Sequence, residues 1–408
     1  MIKPMILVMA LAALAAAPAA RAQSGADAAL WAWLTANGAA LNFQPKVADG
    51  GVRGGVAVAT IPKGGLVASI PMKLAIRFPA NYASFPELGE LLALEDLKAD
   101  SPFRPYLDSL PSLSDPHHTL AWESFPPEYL HLLTDSTPLV DQTVARQATL
   151  EQYWARHGAR LAAKGVSLEK LRAALVTITA RWFEGPSDGP DAGQGALVPG
   201  LDSLNHRNDC PVSFSLLRCP PLRANTEAGA DESAAAAALK AAQANEVCVI
   251  ARTAEEIPAG EEVCISYGNL APDVTLLQYG FLPAGQELAL SRVDERGASI
   301  EDVTTQKMHS PAPPKLTSAF ATAQQLRTER ARLAGILSHL RETEAVAAAT
   351  PRAAADGEGK LLALVLKWRA QRAGALEAEV ARLDKAVVEA EARPETGSEA
   401  VKKLADEL

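Results

Sequence analysis

The sequence predicts a mixed α+β protein, and three observations carry that expectation. Short apolar runs bounded by glycine and proline turns fall in two separated stretches, Val47–Pro71 and Leu197–Phe281. Between them, residues from about Phe85 to Ala180 place apolar side chains at helical spacing. From Ser318 onward two long, densely charged helical patterns follow.

At the N-terminus Lys3 precedes the apolar run Met5–Ala17, and Ala20-Arg21-Ala22 supplies a small-x-small cleavage pattern. The run is too short to span a bilayer comfortably, so the expectation is a signal peptide over residues 1–22. An uncleaved anchor or an organelle-targeting segment is the alternative. The last residues, Ala405-Asp406-Glu407-Leu408, differ from a Lys-Asp-Glu-Leu retention signal only at the first position. Together they point to the secretory pathway and, through the tail, to the ER lumen.

Ala28–Leu41 spaces Leu30, Trp31 and Leu34 as a short amphipathic helix ending near Gly38. Val56-Ala57-Val58-Ala59 and Leu66–Ile70 read as strands, with Pro62-Lys63-Gly64-Gly65 as a hairpin turn between them. Leu88–Leu97, Glu151–Lys164 and Leu168–Phe183 read as helices, and Trp122, Phe125, Tyr129, Leu130, Leu132 and Leu133 as core. Strands over Val212–Leu217 and Glu246–Arg252 flank an Ala-rich surface insertion, Pro220–Ala244. The C-terminal patterns cover Ser318–Glu344 and Gly359–Glu391; in the second, Leu362, Val365, Leu366, Ala373, Leu376, Val380, Leu383 and Val387 can share one face. An antiparallel helical hairpin or a self-associating coiled coil would use that face.

Charge bounds the partners. Lys and Arg number 39 against 48 Asp and Glu, a formal net charge of −9, which offers no electrostatic case for nucleic acid. The four cysteines, Cys210, Cys219, Cys248 and Cys264, form no Cys-x-x-Cys pair and accompany no histidine cluster, so no metal is expected. Cys264 sits in an apolar strand as a small hydrophobe, and Cys210 could pair with Cys219 in an oxidising compartment.

The chain is organised around Leu197–Phe281. One buried-looking segment ends on Asn205 and His206. Another, Val263-Cys264-Ile265 after the Pro258-Ala259-Gly260 turn, ends on Tyr267 before Gly268. A strand that delivers a tyrosine to its end holds the phenol rigidly over a pocket.

Asn205-His206, then Gly260-Glu261-Glu262-Val263 running into Ser266-Tyr267-Gly268, then Tyr279-Gly280-Phe281 together resemble the C-terminal half of a SET domain. That is the fold of S-adenosylmethionine-dependent protein methyltransferases, and the branch most resembled is that of the RuBisCO large-subunit lysine methyltransferase. Arg53-Gly54-Gly55 loosely resembles the family's Gly-Arg-Gly-Leu word, Pro105-Tyr106-Leu107 its Pro-Tyr-Leu-x-x-Leu-Pro word, and Arg181-Trp182-Phe183 its Ser-Arg-x-Phe word. Post-SET cysteine clusters are absent, which fits this branch. The resemblance implies a SET β-fold with a helical insert, followed by an all-α C-terminal substrate-binding-like domain. The corresponding plan is a SET domain over 23–284 with its insert at about 85–180, a helical domain over 285–395, and a tail over 396–408.

The same resemblance implies roles. Tyr267 would be central to catalysis. Asn205 would bond the cofactor's amino group through its side-chain carbonyl, and His206 would contact the adenine. Arg181 would hold the cofactor carboxylate, Asp202 would add a polar contact or serve a cap or turn, Phe281 would stack on the adenine and Tyr279 would line its pocket. Phe183 and Leu201 would line the acceptor pocket, where an aromatic at Phe183 favours lysine over histidine. The expected activity is methyl transfer from S-adenosylmethionine to a lysine of an unidentified protein, with no membrane partner for the mature chain. A histidine methyltransferase of the same fold and a non-catalytic protein-binding module are the alternatives.

Overall fold

The structure, a computed structural model, describes residues 25–47, 53–111, 120–133, 137–184, 194–219, 246–268, 270, 272–282, 292–293, 299–300, 321–354, 356 and 359–392. The expected signal peptide, the Ala-rich insertion and the C-terminal tail lie outside these residues.

The chain opens with helix α1 (25–36) and strands β1 (Ala40–Leu41), β2 (Phe43–Val47), β3 (Arg53–Ala57), β4 (Leu66–Pro71) and β5 (Ile76–Phe78). Helices α2 (Phe85–Asp96), α3 (Arg104–Leu107), α4 (Pro127–Leu130), α5 (Thr137–Ala162) and α6 (Leu168–Arg181) follow. Next come β6 (Trp182–Glu184), β7 (Gly195–Leu197), β8 (Asn205–His206), β9 (Val212–Arg218), β10 (Val247–Thr253) and β11 (Glu262–Ile265). The remainder is α7 (Pro272–Tyr279), β12 (Arg292–Val293), β13 (Ser299–Ile300), α8 (Ala323–Glu342), α9 (Glu344–Ala349) and α10 (Lys360–Glu391).

Two compact units divide the chain, one over Met1–Thr119 and Thr149–Tyr267, the other over Leu120–Ala148 and Gly268–Leu408. Among the described residues the first holds three small sheets of strand order β1-β4-β10-β9, β2-β3-β11-β8 and β5-β7-β6. Helix α1 ends earlier than its apolar spacing suggests. Gly38 adopts φ 90°, and the N–H groups of Gly38 and Ala39 return to the carbonyls of Thr35 and Leu34 at 3.1 and 2.9 Å. This is a Schellman stop, which glycine allows without a Cβ penalty. Leu30, Leu34, Phe43, Val67, Ile70, Leu88, Leu171, Leu175, Val263 and Ile265 belong to one buried core, each such side chain stabilising by roughly 1.5–3 kcal/mol.

The structure corrects the expected hairpin. β3 pairs with β2 and β11, whereas β4 pairs with β1 and β10, so the two strands belong to different sheets. The turn between them is real but packs elsewhere: Gly64 donates to the Thr253 carbonyl at 2.8 Å and Ile61 bridges Ile257. The end of the last insert helix is corrected as well. Trp182 and Phe183 leave α6 and pair with Leu197 and Ala196 as strand β6.

The cysteine expectation is corrected too. Cys210 bonds Cys264 and Cys219 bonds Cys248. Strand β9 lies between Cys210 and Cys219 and is seven residues long, which holds those two cysteines about 20 Å apart at its opposite ends. Cys264 is buried as its strand position suggests, but as half of a disulfide.

In the second unit α8 and α10 run antiparallel. Leu326, Leu333, Leu340, Leu376 and Leu383 bury at seven-residue spacing. Arg330 pairs with Asp384 at 2.9 Å and Arg341 with Glu377 at 2.5 Å, and Arg327 pairs with Glu391. Among the described residues this unit also holds the short ladder β12–β13 beside its helices. Asp356 caps α10 by accepting from the N–H groups of Leu361 and Leu362 at 3.2 and 2.9 Å.

Candidate active site

Two strands place the principal groups. β8 runs parallel to β11, with Asn205 beside Cys264 and His206 beside Ile265. Beyond β11, the Tyr267 N–H donates to His206 Nδ1 at 3.0 Å and the Tyr267 hydroxyl donates to the Leu204 carbonyl at 2.8 Å. The two rings lie 5.1 Å apart. Gly268 follows at φ 113°, a conformation that suits glycine. Tyr267 is therefore anchored at both its backbone and its phenol.

Hydrogen bonding assigns the protons. Because His206 Nδ1 accepts, the ring carries its proton on Nε2, which donates to Asn208 Oδ1 at 2.8 Å. Burial lowers the His206 pKa below its usual 6.5, and the Asn208 contact only partly offsets this. The Asn205 amide is assigned in the same way. It bonds Glu262 Oε1 at 2.9 Å, and an ionised carboxylate can only accept, so the bonded atom is Nδ2. Asn205 Oδ1 carries no hydrogen bond among the described residues. Gly54 of β3 lets the backbone approach this amide closely: a Cβ there would lie 2.5 Å from Asn205 Nδ2.

A buried ion pair forms the second cluster. Arg181, the last residue of α6, donates through Nη1 to the Asp202 carbonyl at 3.0 Å and to Asp202 Oδ2 at 3.1 Å. Tyr106 of α3 donates to the same Oδ2 at 2.7 Å. Burial, then the Asp202 charge, pushes the Tyr106 phenol well above its usual 10.0, so it stays a neutral donor. Burial acts to pull the Arg181 pKa down, but the charge and hydrogen bond of Asp202 outweigh this and raise it. Nε and Nη2 of Arg181 hold no partner among the described residues.

Phe183 of β6 is half-buried and meets Phe214 of β9 edge-on, ring centroids 5.3 Å apart. Phe214 is 42% exposed, so the pair forms an accessible apolar wall.

No protein-family model matches the chain. A curated relative, protein-lysine N-methyltransferase EFM1 of Saccharomyces cerevisiae, is 25% identical over 166 residues, 35% of this chain. The match spans only about a quarter, 24%, of that relative's length. Among solved structures, the SET domain of LSMT bound to lysine and AdoHcy is 18% identical with a TM-score of 0.55, covering 90% of this chain and 92% of that one. Rubisco LSMT bound to sinefungin and monomethyllysine, and the same enzyme bound to AdoMet, are each 17% identical with TM-scores of 0.53, covering 90% of this chain and 93% of theirs. The fold is that of a SET domain.

Within the SET fold the structure brings Asn205, His206 and Tyr267 together, and it pairs Arg181 with Asp202. Asp202 stands inside the 3-10 turn Leu201–Ser203, which Gly200 precedes, and its carboxylate serves Arg181 and Tyr106. Leu201 is 0% exposed and belongs to the buried core of the first unit. Tyr279 and Phe281 lie in the other unit, with ring centroids 6.1 Å apart. Burial raises the Tyr279 pKa to about 12.

Sequence reasoning missed Glu262, Tyr106 and Phe214. Glu262 stands two residues before Cys264 on the strand beside Asn205, and strand alternation puts both on one face. Tyr106 was visible within its Pro-Tyr-Leu word. Phe214 was visible in the alternation of Val212-Ser213-Phe214. Among the described residues no group of three His, Cys, Asp or Glu could hold a metal, and no helix is long and apolar enough to cross a membrane.

Proposed function

We propose that the protein is a protein-lysine N-methyltransferase that uses S-adenosylmethionine. The observation that carries this reading is the β8–β11 pairing, which sets Asn205 and His206 beside the anchored Tyr267 in a SET fold. The donor set suits the cofactor. Asn205 Oδ1 is available to accept from its amino group, and the unspent guanidinium nitrogens of Arg181 suit its carboxylate. When bound, S-adenosylmethionine supplies an electrophilic methyl group.

The chain's own residues supply position and dryness. The acceptor must arrive as a neutral amine whose lone pair lies in line with the methyl carbon, and positioning accounts for much of the rate. An apolar wall of Phe183 and Phe214 disfavours the ammonium form. Tyr267 spends its O–H in a hydrogen bond to the Leu204 carbonyl, so toward an incoming amine its oxygen acts as an acceptor. With the cofactor bound, an N–C bond to the amine would replace the S–C bond to the methyl group, and the amine's proton would leave to solvent. The aromatic at Phe183 favours lysine over histidine. The two disulfides support the secretory destination that the N-terminus suggests, since disulfides persist in oxidising compartments.

Calorimetric titration with S-adenosylmethionine tests the reading, wild type beside Asn205→Ala. Binding by the wild type and its loss in the variant are the expected results, followed by transfer of labelled methyl groups to lysines of a protein extract. A folded wild type that binds no S-adenosylmethionine would sink the proposal and leave a protein-interaction module.

A further inference from the structure

We infer that Tyr106 is a positioning residue for the cofactor carboxylate, acting through Asp202 on Arg181. The inference rests on the cofactor reading above. Tyr106 is 1% exposed and the Asp202 side chain 2% exposed, so their hydrogen bond is sealed from water. Both the phenol and Arg181 Nη1 converge on one oxygen, Asp202 Oδ2, at 2.7 and 3.1 Å.

A buried carboxylate with an arginine as its sole donor favours a two-pronged grip that engages a second guanidinium nitrogen. Here the phenol already occupies Oδ2, and Arg181 is held by Nη1 alone. Nε and Nη2 hold no partner among the described residues. The phenol thus keeps Asp202 from consuming the anion-binding edge of Arg181.

Tyr106 is braced independently of the strands. Its helix α3 is tied down by Arg104, which donates to the Asp96 carbonyl at 2.8 Å and to Asp96 Oδ1 at 2.5 Å. The hydroxyl therefore reaches Asp202 from a fixed platform.

The test compares S-adenosylmethionine with its decarboxylated counterpart, which keeps the amine, the sulfonium and the adenosine. Both are titrated into the full-length wild type and Tyr106→Phe. The wild type is expected to prefer the carboxylate-bearing ligand. Tyr106→Phe is expected to reduce that preference about tenfold, the worth of one hydrogen bond to a charged group, with affinity for the decarboxylated ligand nearly unchanged. The ratio of the two affinities does not depend on the folded fraction, so partial unfolding of the variant cannot mimic the result. A ratio unaltered by the substitution, including a parallel loss for both ligands, would overturn the role of Tyr106 and leave the cofactor reading intact. Failure of the wild type to bind either ligand would remove both.

Discussion

Tyr267 is held by bonds that separate its two duties. Its N–H fixes the backbone to His206 and its hydroxyl sets the acceptor oxygen against Leu204. Tyr267→Phe keeps the first and deletes the second. S-adenosylmethionine affinity should therefore stay within about twofold while methyl transfer falls about a hundredfold, the cost of a misplaced reactant; single-turnover assays beside calorimetry check the split. His206 predicts a pH dependence. Its folded pKa lies below 6.5, so between that folded value and 6.5 the unfolded chain binds more protons. The stability it contributes is present above 6.5 and is lost as pH falls through the folded pKa. Protonation of Nδ1 also removes the acceptor for the Tyr267 N–H. Cofactor binding should weaken on acidification through that window. In His206→Asn, whose Oδ1 replaces Nδ1 as a non-titrating acceptor, it should not; titrations across the window in both proteins decide the matter.

At the scale of elements, β3 shows how glycine serves the site without touching a ligand. A Cβ at Gly54 would meet the Asn205 amide, whereas one at Gly55 would meet Leu204 and Phe43 in the core. Gly54→Ala should chiefly weaken S-adenosylmethionine binding. Gly55→Ala should chiefly lower stability, by about 1–3 kcal/mol as overpacking does. Denaturant unfolding and calorimetry on both variants separate the two effects. These elements also mark what was legible in the chain. Apolar periodicity located β9, β10, β11 and α6 closely, because those segments satisfy their local pattern. It could not reveal that β3 and β4 part company, since their partners β11 and β10 lie about two hundred residues downstream and a turn signal speaks only for its neighbours. Asn205, His206 and Tyr267 were readable because they cluster in short words around one strand pair. The bond between Tyr106 and Asp202 was not, because the two residues stand 96 positions apart and no local pattern announces a buried hydrogen bond.

At the scale of the whole chain, the two disulfides brace different things. Cys219–Cys248 joins the adjoining ends of β9 and β10 across a sequence separation of 29. Cys210–Cys264 spans 54 residues and ties the turn after Asn205 and His206 to the strand that leads to Tyr267. Hydrogen bonds also hold that turn: the Arg207 N–H donates to the Ile265 carbonyl at 3.1 Å, the Cys210 N–H to the Arg207 carbonyl at 3.2 Å, His206 Nε2 to Asn208 Oδ1 at 2.8 Å and Arg207 Nε to Asp209 Oδ1 at 2.7 Å. Loop-closure entropy assigns each bridge about 4 kcal/mol of stability, so loss of either should lower the thermal midpoint by several degrees. Their effects on the site should differ. The Cys219→Ser, Cys248→Ser double variant should unfold earlier yet bind S-adenosylmethionine with wild-type affinity at low temperature. The Cys210→Ser, Cys264→Ser double variant should lose both stability and affinity, because the β8–β11 junction then closes by hydrogen bonds alone. Equal affinities in the two double variants, measured well below both midpoints, would mean that the strand pairing suffices to hold Asn205, His206 and Tyr267 together and that the Cys210–Cys264 bridge serves stability only.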